Sequence, residues 1–116
     1  MGKASRDKGK RGELDLVHTL HQLGYSGAYR AQQYCGSASS ADVIGLPKIH
    51  IECKRTESLS LYKAFDQAMN DSAGTSDMPV VMHRRSHRPW LVIMSLEDWI
   101  KLYQVYEKNE ISQDIK

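Results

Sequence analysis

No stretch of this chain is apolar for long enough to cross a bilayer: its longest run, "PWLVIM" at 89–94, falls far short of the roughly 20 residues a spanning helix needs. The opening "MGKASRDKGKRGE" has no apolar segment behind its basic residues, so no secretory signal is expected, and it lacks the Ser or Thr placement of a myristoylation site. Cysteine is scarce. With no export features, Cys35 and Cys53 are expected to be reduced thiols in a cytoplasmic compartment. No internal repeat or long low-complexity tract appears, and "CGSASSA" at 35–41 is a flexible loop too short to separate two cores. Nor does one sign of charge dominate: 16 basic against 14 acidic side chains leave a net charge of +2, which says little about partners.

What is present fits one globular domain. At 116 residues, 41% hydrophobic and 26% charged, the chain can fill a single core. Its charge is unevenly placed. Residues 1–11 carry Lys3, Arg6, Lys8, Lys10 and Arg11 against Asp7 alone, a net of +4, and "HRRSHR" at 83–88 adds three arginines and two histidines. Two separate basic patches suit a polyanion such as nucleic acid; a solvated tail and a charged turn are the plainer reading.

Hydrophobic spacing predicts an amphipathic helix over 12–24, with Leu16, Val17, Leu20 and Leu23 on one face and Gly24 as its cap. Its start could lie nearer Lys8, since Gly9 and Gly12 each cost about 1 kcal/mol in a helix interior. Strands are expected at 28–34, at either side of a turn within 41–55, and at 79–83 and 90–94. A second helix covers 61–73 with Leu61, Phe65, Ala68 and Met69 facing inward. A last helix runs from Leu96 to about 107, with Ser95 and Asp98 at capping-box spacing and Trp99, Tyr103 and Tyr106 as an apolar stripe. The expected order is αβββαββα, a mixed sheet flanked by helices, with 1–11 as a basic arm, 12–107 as the domain and 108–116 as a tail.

The stretch "ADVIGLPKIHIECKR" (41–55) holds an oddity. Alternation sends Ile49, Ile51 and Cys53 to one face and His50, Glu52 and Lys54 to the other, with Glu52 and Lys54 roughly 6.5 Å apart. A turn centred near Pro47 pairs positions that sum to 94, so Asp42 falls opposite Glu52. Opposed side chains have Cβ atoms about 5 Å apart, and like charges there are destabilising. A divalent cation removes the repulsion: two carboxylates can share a hard ion that keeps its other positions for water and phosphate, as Mg²⁺ does. Lys54 then stands beside it as a donor to a phosphate oxygen or the attacking water. The alternative makes Asp42 a turn residue and pairs Glu52 with Lys54 at the surface, an arrangement worth little. Glu13 weighs against that alternative, because it lies inside the arc of its helix's own apolar stripe, and buried carboxylates are rare unless paired or metal-bound.

These residues carry a resemblance. "GKRGE", "GSASSAD" and "IHIECKR" together resemble the PD-(D/E)XK nuclease superfamily, and more narrowly the Holliday junction resolvases of archaeal and bacteriophage type. The likeness covers roughly residues 6–106; Ala41 stands where the proline of the motif would be. It implies a restriction-endonuclease-like αβββαβ core with an extra C-terminal strand and helix. It also implies a Mg²⁺-dependent endonuclease, with Mn²⁺ able to substitute, acting as a homodimer on branched DNA, with no membrane and no small-molecule cofactor. By position, Asp42 and Glu52 would bind the ion, helped by the Cys53 carbonyl. Lys54 would serve the nucleophilic water, and Glu13 would complete the site through a water or a second ion. Lys8, Lys10, Arg11, Ser37, Arg55, Gln67, Arg84 and Arg85 would meet DNA. A nuclease of the same fold acting on non-junction DNA, and a non-catalytic DNA-binding module, remain as alternatives.

Other residues are given plainer roles. His83 and His87 with the cysteines could suggest zinc, but Cys53 points to the Ile49/Ile51 face and no paired cysteine motif exists. His18 and His21 are expected at the surface; His50 shares the face of the acids and could approach the site, an exposed histidine being the plainer reading. Trp90, Trp99, Tyr103 and Tyr106 are expected in the core or at a subunit interface.

Overall fold

A computed structural model describes residues 2–31 and 41–111, with side chains from Asp7 onward. The elements in order are α1 (Gly2–Gln22), β1 (Tyr29–Arg30), β2 (Val43–Ile44), β3 (Ile49–Arg55), α2 (Leu61–Ser72), β4 (Met78–Arg84), β5 (Leu91–Ile93) and α3 (Leu96–Tyr106), followed by a π-helical turn, Glu107–Ile111. The strands form one five-stranded sheet in the order β1-β2-β3-β4-β5. β3 and β4 run parallel, in register from Ile49↔Met78 to Arg55↔Arg84, while the other neighbours are antiparallel. A parallel pair needs a long crossover, and α2 supplies it. The result is the mixed α/β sheet expected from the sequence.

The two faces of the sheet are covered differently. Leu16, Val17 and Leu20 of α1 pack on Val43, Ile51, Val80 and Met82. Ala64 and Ala68 of α2 pack on Val81 from the opposite side. The inward face of α2 differs from expectation: Ala64, Ala68 and Ser72 are buried, whereas Leu61 and Met69 are exposed. Small residues at i, i+4 and i+8 let the helix approach the sheet closely, and the larger side chains are rotated to its flanks. Leu23, expected on the apolar face of α1, is likewise exposed because α1 ends at Gln22.

α1 begins ten residues before the expected start. Lys, Arg and Ala are good helix formers, and a helix already anchored through its packed second half extends at little cost. The glycines have unequal roles. Gly9 has open space around it, whereas a Cβ on Gly12 would lie 2.5 Å from Arg55 Cβ. Gly12 is therefore the point of closest approach between α1 and β3. The strand expected over 28–34 is confined to Tyr29–Arg30 within the described residues, and 32–34 lie outside them. The β2–β3 turn places Gly45 (φ 129°) and Lys48 (φ 73°) in the left-handed region. At α3, Ser95 Oγ accepts from the Asp98 N–H at 3.1 Å, as the capping spacing predicts.

The two glycines give a sharp test. Gly9→Ala is expected to stabilise the fold by about 0.5–1 kcal/mol, and Gly12→Ala to destabilise it by about 1–2 kcal/mol through overpacking against Arg55. Urea denaturation of both variants measures this, and a Gly12→Ala variant as stable as Gly9→Ala contradicts the packing described.

Candidate metal centre

Register and alternation build the centre. Val43 pairs with Ile51, the expected sum of 94, and the Asp42 N–H also donates to the Ile51 carbonyl at 2.9 Å, which brings the Asp42 carboxylate within hydrogen-bonding reach of Glu52. Ile49, Ile51 and Cys53 join the core under α1. His50, Glu52 and Lys54 therefore face α2. There α2 runs back along β3: four residues of helix advance about 6 Å and two residues of strand about 6.6 Å. Gln67 accordingly meets Lys54, its Oε1 accepting from Nζ at 3.0 Å, while Asp71 reaches His50 and Glu52. Each of these last three offers a ligand atom within 4.8 Å of the other two.

Glu52 is the hub. It is 1% exposed, and its Oε1 lies 2.9 Å from His50 Nε2, itself 5% exposed. Burial first, then the charge of Asp42, then hydrogen bonds to Asp71 and Asp42 and the Asp71 charge, push the Glu52 carboxyl up to about 9. At neutral pH it is held protonated, because burial and the neighbouring carboxylates both disfavour its charged form. A buried carboxyl kept neutral amid other carboxylates, with an imidazole beside it, is a donor set that fits a divalent cation.

Asp42 links this hub to the rest of the predicted site. Its Oδ2 accepts from the Cys53 N–H at 2.8 Å. Its charge also raises the Glu13 carboxyl, after burial, while Arg30 opposes both. Glu13 faces inward as expected, but it accepts from Arg30 Nε at 2.6 Å and does not join the cluster of three. Cys53 is on the core face, its thiol pushed up by burial and then by Asp42. It is no thiolate ligand. His83 Nε2 lies 2.9 Å from the Thr56 carbonyl, and neither it nor His87 belongs to a metal-ligating group among the described residues.

Two site residues were not anticipated. His50 is buried and paired with Glu52, where an exposed histidine was expected: the parallel partner β4 and the helix α2 enclose that face of β3. Alternation had already put it on the face of the acids. Asp71 carried a weaker signal, its position four residues beyond Gln67 on the same face of α2.

The predicted DNA contacts divide into two sets. Lys8, Lys10, Arg11 and Arg85 are exposed. Lys8 and Arg11 line a cavity of about 420 Å³ with Gly12, Asp15, Arg55, Glu57 and Ser86. Arg55 and Arg84 are held by protein partners: Arg84 Nη1 donates to Asp15 Oδ2 at 2.9 Å and its Nε to the Arg88 carbonyl at 2.7 Å. Arg55 donates to Glu57 at 3.1 Å and approaches Asp15 at 3.9 Å. Ser37 lies outside the described residues. No helix among the described residues is long and apolar enough to cross a membrane.

The raised Glu52 carboxyl has a stability consequence. The unfolded chain releases this proton near pH 4.5 and the folded chain retains it to about 9, so metal-free stability falls as pH rises across that window, by at most about 1.4 kcal/mol per pH unit. Urea midpoints in chelator at pH 6 and 8.5 are expected to drop for the wild type and to change less for Glu52→Gln; equal slopes would contradict the assignment. Compared with family models, curated proteins and solved structures, the chain gives no match.

Proposed function

We propose that this protein is a metal-dependent DNA endonuclease of the PD-(D/E)XK type, acting on four-way junctions or other branched DNA. The observation that carries the reading is the contact of Asp42 with Glu52 across β2 and β3, with Lys54 next on the same face as Glu52. Three further features support it: the inward-facing Glu13, the parallel β3–β4 pair joined by α2, and the basic cavity beside Gly12.

In this reading Asp42, Glu52 and the Cys53 carbonyl hold the cation, Mg²⁺ or Mn²⁺. When bound, the ion supplies an activated water and neutralises charge developing on the phosphate. The protein does the rest. Lys54 exchanges its Gln67 partner for the water or a phosphate oxygen and stabilises negative charge in the transition state. Lys63 lines the same opening, a cavity of about 310 Å³, and adds a second ammonium group facing the entering phosphate. Lys8, Lys10 and Arg11 bind the flanking backbone, whereas Arg55 and Arg84 shape that surface through Asp15 and Glu57.

A two-fold junction suits a two-fold dimer, and α3 offers the surface. None of its residues is buried, although Leu96, Trp99, Ile100, Leu102, Val105 and Tyr106 are apolar. Most of them are exposed by about half or more of their surface, Leu96 by 73%. An apolar arc this wide suits a helix covered by a partner surface.

Glu52→Gln and Lys54→Ala are each expected to lower Mg²⁺-dependent cleavage of a synthetic junction by about 10²-fold or more while DNA binding persists. Intact junction, flap, nicked and linear DNA under native wild-type protein contradicts the nuclease reading, and binding without cleavage indicates a non-catalytic module. For the dimer, sedimentation should give twice the chain mass for the wild type and one chain mass for Leu102→Glu; a monomeric wild type removes α3 as a subunit contact.

A further inference from the structure

Two cavities lie along β3, one to either side of Glu52, whose own side chain is buried between them and lines neither. At the far end from Lys54, His50 lines a cavity of about 370 Å³ bounded by the β2–β3 turn and by Thr75 and Asp77 beyond α2. Lys48 also lines it, but its ammonium is turned to Ser76 Oγ at 3.3 Å. At the near end, Lys54, Lys63 and Gln67 line the separate opening already described. The two openings differ in chemistry. The Lys54 end is lined by two ammonium groups, whereas the His50 end carries an imidazole whose Nε2 lies 2.9 Å from Glu52 Oε1.

We propose that His50, Glu52 and Asp71 form a second cation site, distinct from the oxygen-only position of Asp42 and Glu52, and that it takes a borderline transition ion such as Co²⁺ or Zn²⁺ rather than Mg²⁺. An imidazole nitrogen is a poor partner for Mg²⁺, which demands oxygen ligands, and a good one for Co²⁺ and Zn²⁺. One histidine and two carboxylates give the three protein ligands of an open zinc-type site, with a position left for water. The ligands come from two packed elements, a central strand and the helix that covers it, so their separation within 4.8 Å is fixed by the fold. His50 and Glu52 are almost wholly buried, where a cation gains most from carboxylate ligands. Glu52 has two oxygens and can serve both positions. The site needs neither Lys54 nor DNA, so it stands or falls apart from phosphodiester cleavage.

The test is titration of the full-length protein with CoCl₂, read by d–d absorption, in the presence of excess MgCl₂ and without DNA. The wild type is expected to bind Co²⁺ with the intense spectrum of a four- or five-coordinate ion that Mg²⁺ does not displace. His50→Ala and Asp71→Asn should each weaken Co²⁺ binding by at least about tenfold, and Asp42→Asn by less than threefold. Asp71 is only half-buried, so its variant keeps the test available if His50→Ala does not fold. Displacement of Co²⁺ by Mg²⁺, unchanged binding in the His50 or Asp71 variant, or equal weakening by Asp42→Asn would each overturn the proposal. Junction cleavage by the wild type in Mg²⁺ alone is a separate readout, so loss of one reading leaves the other measurable.

Discussion

A carboxylate shut inside a protein must find a proton or a cation, and Glu52 sets that requirement for this fold. The ionised group would cost several kcal/mol without compensation, and its surroundings add negative charge: Asp42 across the hairpin and Asp71 from the helix above. Without a cation the compensation is a proton. An apolar residue at position 52 would remove that requirement but would leave the buried His50 imidazole without its hydrogen-bond partner. An acid there is neutral when protonated, and its charged form would need a cation to offset it.

The rest of the molecule holds this group in place. β3 is paired on both sides, by β2 and by β4, so the position of Glu52 is set by backbone hydrogen bonds rather than by side-chain packing. Alanines at 64 and 68 let α2 lie close enough for Gln67 and Asp71 to reach the strand. On the other face, Gly12 lets α1 lie against Arg55, which brings Glu13 towards Asp42 and positions the basic end of α1 beside the same strand. The close approach of two helices thus decides which charged groups meet at the hub.

Much of this was legible from the sequence, for definable reasons. Alternation in "KIHIECKR" assigned both faces of β3, and the proline-centred turn fixed the register that sets Asp42 against Glu52, because both are local geometry. The inward turn of Glu13 followed from helical periodicity. The burial of His50 was not legible, since it depends on the parallel pairing with β4 and the cover of α2, contacts between residues far apart in the chain. Asp71 was obscured by the expectation that Leu61 and Met69 face inward; the alanine face that actually packs rotates Asp71 towards the sheet. Charge alone did not show the internal pairing within "HRRSHR". Arg84 serves Asp15 and the Arg88 carbonyl, so part of the basic cluster ties α1 to β4 and shapes the surface beside the free lysines.

The most direct test of the account is anomalous diffraction from crystals soaked in Mn²⁺. The expected result is an anomalous peak within bonding distance of a Glu52 carboxylate oxygen, with the carboxyl drawn away from its present hydrogen-bonded partners. Fully occupied Mn²⁺ sites elsewhere with no peak at Glu52, and a carboxyl still turned to His50 and Asp71, would contradict it.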